Sequence, residues 1–209
     1  MYEKNPKNIE LKSFDIIENE LKIKIEEKYA PIIKRVIHTT ADFEYAELIE
    51  FHKNALESAK EALRKGGKIY ADTSMIVSGV NKRALKRYNL EVVNYVHLPE
   101  IYEEAEKKGI TRSMAGIEKA VAEGISIFAI GNAPTAIYKL GELMNESEKR
   151  PNLVIGVPVG FVGAAESKDE LSKWDVPSII IRGRKGGSPV AVAILNALFK
   201  IMESEDGRI

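Results

Sequence analysis

The apolar positions of this chain change rhythm near residue 66. Before it they recur at helical spacing. Phe14, Ile17, Leu21 and Ile25 make one stripe within residues 13–28, and Ile32, Ile33, Val36 and Ile37 make a second after Ala30-Pro31. Apolar residues three and four apart line one face of a helix, and proline in a first helical turn forfeits no needed hydrogen bond. A third helix is expected over about 42–65 and should stop at Gly66-Gly67, since glycine readily takes the left-handed conformation that closes helices.

Beyond that point come five short apolar runs: Lys68–Ala71, Glu91–Val96, Ile125–Ile130, Leu153–Val157 and Ser178–Ile181. Helical patterns near 81–88, 99–108, 112–123, 133–146 and 163–173 lie among them. Apolar strands alternating with helices predict a mainly parallel sheet covered on both faces. A last helix near 188–203 sets Val190, Ile194, Leu195, Leu198 and Met202 on one stripe and Ala191, Ala193 and Ala197 beside it. It should be buried on more than one face. The chain therefore reads as one α/β domain over residues 1–209. The expected architecture is a three-layer, Rossmann-like α/β/α sandwich with a five-stranded sheet, preceded by N-terminal helices. Residues 1–10 and 203–209 are read as loose termini, and the strand order is not legible.

Composition narrows the chemistry. With 31 basic and 31 acidic residues the net charge is zero, which gives no general attraction to nucleic acid or to a membrane surface. There is no cysteine, so disulfides, thiolate nucleophiles and cysteine-held metals are excluded. The N-terminus has no apolar run that would make a secretory signal, and a cytoplasmic location is expected. The three histidines, His38, His52 and His97, are scattered, and no metal site is expected. His52 reads as a solvated residue and His97 as structural. Walker, dinucleotide-fingerprint, nucleophile-elbow and zincin motifs are all missing.

What remains collects where strands should end. Ligands of open parallel sheets bind beyond the carboxyl ends of the strands. There the chain places Asp72-Thr73-Ser74, His97 ahead of Pro99, Gly131-Asn132-Ala133-Pro134-Thr135, Gly156 to Gly163, and Arg182-Gly183-Arg184-Lys185-Gly186-Gly187-Ser188-Pro189. Glycines admit a close ligand, and helix-start amides attract anions. Ser188 is expected as an N-cap with Pro189 first in the helix. Each tip alone is ordinary turn chemistry; together they suggest one extended, partly anionic ligand. His38 follows the Ile32–Ile37 stripe directly, with Arg35 three residues before it and Asp42 four after. By itself it reads as a half-buried histidine at a helix end, satisfied by a carbonyl or by Asp42. A pairing with Asp42 would favour the charged imidazole. The set offers one proton donor, many orienting groups and no nucleophilic or redox apparatus, which suits a rearrangement or simple binding.

The segments IHTTADFEY, ADTSMIVSGV, RSMAGIEKA, AIGNAPTA, GVPVGFVGAAESK and GRKGGSPVAVAILNAL together resemble the precorrin-8 methylmutase family over about residues 10–202, with the cobalt-precorrin-8 form as the nearer branch. The resemblance implies an isomerase of cobalamin biosynthesis that moves a methyl group from C-11 to C-12 of the corrin ring, giving cobyrinic acid or its cobalt-free counterpart. It implies a homodimer and no cofactor beyond cobalt carried by the corrinoid substrate, with possible hand-over to other enzymes of the pathway. It assigns the catalytic histidine to His38. It also implies substrate contacts at Thr73, Ser74, Arg112, Ser113, Asn132 and the turn containing Arg184, Lys185, Gly186, Gly187 and Ser188. A non-catalytic tetrapyrrole carrier and a phosphate-binding transferase built on the basic turn are the alternatives.

Overall fold

A computed structural model describes residues 2–207; residues 1, 208 and 209 lie outside the described chain. Its centre is a six-stranded sheet in the order β1-β6-β5-β4-β2-β3. The strands are β1 (Ile49–His52), β2 (Gly67–Ala71), β3 (Leu90–Val93), β4 (Ile127–Ile130), β5 (Leu153–Gly156) and β6 (Ser178–Ile181). All neighbours are parallel except β1, which runs antiparallel to β6.

Side chains of a strand alternate between faces, and here the alternation builds two cores. Ile69, Ala71, Ile127, Ala129, Ile155 and Ile179 face one of them. It is covered by α1 (Pro6–Glu20), α2 (Ala30–Thr40), α4 (Ala55–Arg64), α5 (Ser74–Gly79), α6 (Lys82–Arg87) and α11 (Ser188–Glu205). Tyr70, Phe128, Ile130, Val154 and Ile180 face the other. That face carries α7 (Pro99–Lys108), α8 (Arg112–Ala122), α9 (Pro134–Asn145) and α10 (Ala164–Ser172). The three-layer α/β/α arrangement follows. As its stripes predict, α11 is buried on several sides, and it packs closely on α2.

Several boundaries differ from the expectation, and the short helix α5 was not expected at all. The sheet has six strands rather than five, because Ile49–His52 forms β1 inside the stretch read as one helix over 42–65. A single turn, α3 (Tyr45–Leu48), precedes it. Lys53 and Asn54 then adopt left-handed conformations, with φ 51 and 55, which no helix interior accommodates. Four residues are too few for alternation to outweigh the helical spacing around them. His52, read as solvated, is half-buried there, 3.2 Å from the carboxylate of Glu50.

The first helix is α1, ended at Glu20, not a segment reaching 28. Leu21, Ile23 and Ile25 are half-buried while Lys22 and Lys24 are exposed, a period of two that belongs to extended chain. Asn5 caps α1 through its side-chain oxygen, so residues 6–10, read as part of a loose end, are helical, as are residues 203–205. Finally β3 stops at Val93 rather than Val96: the Asn94 amide turns to donate to the Ala71 carbonyl, 2.7 Å away. No helix among the described residues is long and apolar enough to cross a membrane.

Candidate active site at the carboxyl edge of the sheet

Parallel strands deliver their carboxyl ends to one edge, and there the tips of β2 and β4 are bound by a single carboxylate. Asp72, 4% exposed, accepts hydrogen bonds from the backbone N–H groups of Gly131, Asn132 and Ala133 at 2.7–2.8 Å. Burial pushes its carboxyl upward and the three amides oppose that push. These amides are therefore engaged internally and not free for a ligand, contrary to the reading of that tip as an anion seat. The side chain of Asn132 remains exposed above them.

Next to Asp72, Thr73 caps α5 by accepting the Ile76 N–H at 3.3 Å, and its hydroxyl lies 2.8 Å from that of Ser188. The first turn of α5 is thereby tied to the first turn of α11. Ser188 is the first residue of α11, and the capping position belongs to Gly187, whose φ is 116. The expected Ser188 N-cap is thus displaced by one residue. The cause is the approach of the chain to β5: Gly187 N–H donates to the Val157 carbonyl at 2.7 Å. A Cβ on Gly186 would stand 2.2 Å from that same oxygen. A Cβ on Gly131 would likewise stand 2.8 Å from Ser188 Cα. Only glycine fits such approaches.

The basic turn after β6 divides its two cations. Lys185 Nζ is held by Asp42 and by Glu44, the latter at 2.7 Å. The pairing raises the ammonium above its usual range and holds the Asp42 carboxyl below its own, chiefly through the Lys185 hydrogen bond. Arg184 has no carboxylate neighbour among the described residues. Its exposed guanidinium stands 5.5 Å from the ring centre of Phe161. Phe161 is 82% exposed and Val162 91%, so the β5–α10 loop presents bare apolar surface beside a cation that no carboxylate pairs.

His38 lies in the last turn of α2, which Ala41 closes in the left-handed conformation, φ 54. The imidazole is exposed, not half-buried, and makes no hydrogen bond to any described residue. It stacks on Phe14, with ring centres 5.4 Å apart and planes 7° from parallel. Asp42 does not meet it, because Lys185 has drawn that carboxylate to the basic turn. Arg35 bonds Glu10 at 2.5 Å and covers the ring of Phe14. Alongside runs a groove of about 560 Å³, lined among others by Thr39, Met75, Pro189 and Asn196. Its size falls in the usual range for small-molecule sites, roughly 300–1,000 Å³.

The sequence profile of the precorrin-8X methylmutase family matches residues 8–201. The cobalt-precorrin-8 methylmutase of Priestia megaterium is 45% identical over 95% of this chain and 89% of its own length. That of Salmonella typhimurium is 44% identical over 94% and 96% respectively. The crystal structure of precorrin-8x methyl mutase from Thermus thermophilus superimposes with a TM-score of 0.86, at 36% identity, over 96% of this chain and 99% of that one. The chain belongs to the precorrin-8X methylmutase family. It is therefore an isomerase, one that transfers a methyl group within a molecule, and its setting is cobalamin biosynthesis.

Within this methylmutase fold the residues expected at the site gather unevenly. Thr73, Ser74, Asn132 and the turn from Arg184 to Ser188 share the carboxyl edge. Arg112 and Ser113 open α8, whose cap Thr111 touches Thr135 of α9 at 3.0 Å. The Arg112 guanidinium lies over the ring of Tyr102 and bonds its hydroxyl. His97 is exposed in the connection after β3, at the far edge of the sheet. Among the described residues no cluster of His, Cys, Asp or Glu could hold a metal ion. Two groups escaped the sequence reading. Asp72 was seen only as part of a polar tip. Lys168 sits in the charged-looking stretch AAESKDELS, yet it is fully buried.

Proposed function

We propose that this methylmutase acts on precorrin-8, in its cobalt form, moving the C-11 methyl group to C-12 to give cobyrinic acid, with His38 as the proton donor. The observation that carries the reading is His38 itself: its imidazole is exposed in the last turn of α2 and makes no hydrogen bond to any described residue, so it is free to bond a substrate. The groove lined by Thr39, Met75 and Pro189 lies next to it in the fold, although His38, Ser74 and Ser188 do not themselves line it.

A methyl shift inside one conjugated ring needs no external nucleophile and no electron carrier, so the reading includes no cofactor; cobalt belongs to the substrate. It needs the macrocycle fixed in one pose and electron density drawn toward a ring nitrogen. His38 in its charged form donates a proton, or a strong hydrogen bond, to the nitrogen next to the migrating carbon. The proton returns after the shift, leaving composition unchanged. Such general acid help is worth roughly 10²–10⁴-fold in rate. Arg184 and Arg112 suit the peripheral carboxylates, and the bare Phe161 and Val162 suit the apolar face of the ring. The cobalt form is favoured because the two relatives compared above carry that name. A homodimer that hands its product to the next enzyme of the pathway completes the reading.

The test is to mix the protein with cobalt-precorrin-8 bearing ¹³C in the C-11 methyl group. The labelled signal should move to the C-12 methyl position while the corrin absorption bands change. A bound, spectrally shifted corrinoid whose label stays in place would instead identify a tetrapyrrole carrier.

A further inference from the structure

Lys168 is the one lysine among the described residues with no exposed surface. It projects from α10 and finds no carboxylate. Its Nζ donates to two backbone carbonyls, Pro158 at 2.9 Å and Lys185 at 2.8 Å. The first carbonyl belongs to the β5–α10 loop and the second to the β6–α11 turn. Burying an amine is costly unless its hydrogens are used, and burial lowers this one to about 8. Both bonds survive loss of a proton, since a neutral amine still has two N–H groups. A lysine kept under such conditions is a fastening between two backbones.

What it fastens is specific. The β5–α10 loop carries Phe161 and Val162, and the β6–α11 turn carries Arg184. Two further bonds join the same segments: Gly160 N–H to the Arg184 carbonyl at 3.1 Å, and Gly187 N–H to the Val157 carbonyl at 2.7 Å. Gly186 lets the chains approach where a side chain could not fit. The side chain of Lys168 is the only one with hydrogen bonds to both segments among the described residues.

We propose that Lys168 is a positioning residue for substrate: by bridging the Pro158 and Lys185 carbonyls it fixes the Arg184 guanidinium at a set distance from the apolar Phe161–Val162 surface, so that one rigid element recognises a carboxylate and the adjoining ring face together. This rests on the reading of the carboxyl edge as the corrinoid site. Lys168 touches no substrate in this account; it acts through Arg184. Preorganising two contacts removes the cost of ordering them on binding.

A double-mutant cycle tests it, with cobyrinic acid as the probe and binding followed by absorption. Lys168→Met keeps an unbranched stem and removes the donor. It should weaken binding about tenfold, as should Arg184→Ala. The double variant should be within about twofold of Arg184→Ala alone, because the fastening has nothing left to position. Multiplying effects, near a hundredfold together, would overturn the proposal, as would a Lys168→Met protein that binds like wild type. If Lys168→Met does not fold, Lys168→Gln, which keeps N–H donors on a shorter stem, replaces it in the cycle. If neither folds, Lys168 supports the whole fold and the proposal falls. Wild-type protein that binds no cobyrinic acid would refute the underlying site reading instead.

Discussion

The tips of β4 and β6 look alike as sequence, each offering glycine and backbone amides ahead of a long helix. They meet opposite fates. After β4, the amides of Gly131, Asn132 and Ala133 are all taken by the buried Asp72. After β6, no side chain caps α11, Lys185 is engaged by Asp42 and Glu44, and Arg184 stays open. The contrast shows that a site is defined by which polar groups the protein leaves unpaired, not by how many it gathers. The β4 amides serve the scaffold, and the proposed ligand surface is the β6 turn, with the Asn132 side chain left exposed beside it. His38 belongs with the second kind, since its nitrogens are unengaged where Asp42 would have been the nearest rival.

That contrast can be broken from its strongest side. Asp72→Ala leaves three N–H groups without their acceptor, those of Gly131 and Ala133 buried, and unfolding by urea should show a loss of about 3–5 kcal/mol. A loss under 1 kcal/mol would mean that water replaces the carboxylate freely and that the tip is not locked. Gly186→Ala comes next. Its Cβ would strike the Val157 carbonyl in a backbone region that alanine avoids, and a cost of about 2–4 kcal/mol is expected in the same assay. Arg184→Ala should change stability by no more than about 0.5 kcal/mol while weakening corrinoid binding roughly tenfold. The reverse pattern would place Arg184 in the scaffold.

Lys185→Ala should cost about 1 kcal/mol of stability or less, because the pair it breaks is partly exposed. The pairing holds Asp42 below its ordinary value of 3.8. A carboxyl lowered by folding contributes stability above its unfolded value, and that stability is lost as pH falls through the folded one. The difference between wild type and Lys185→Ala should therefore be present at neutral pH and fade below about 3.8. A difference that persists in acid would deny the Asp42–Lys185 link.

Much of the fold was legible because long elements repeat their signal. Val190 to Met202 spells a buried helix over several turns, and the runs at 127–130 and 153–156 are apolar throughout. β1 was hidden because its four residues sit between helical patterns that swamp any alternation. The candidate site was legible in its tips, whose glycines, threonine and arginine follow strands directly. Its internal pairings were not. Nothing local says that Asp42 turns to Lys185, 143 residues away, rather than to His38. Nor does AAESKDELS, with four charged residues in nine, reveal that its lysine is buried. Such contacts depend on how distant strands are ordered, and that order follows from packing of the whole sheet.

His38, exposed at the end of α2 with no hydrogen bond to any described residue, is the proposed source of the proton for the methyl shift. Turnover of cobalt-precorrin-8 by His38→Ala tests it most directly, measured beside cobyrinic acid binding by the same protein. Binding within a few-fold of wild type with turnover down by roughly 10²–10⁴-fold is the expected result. Full turnover by a folded, binding-competent His38→Ala protein would contradict it, and His38 would then be no more than the partner of Phe14 in a surface stack.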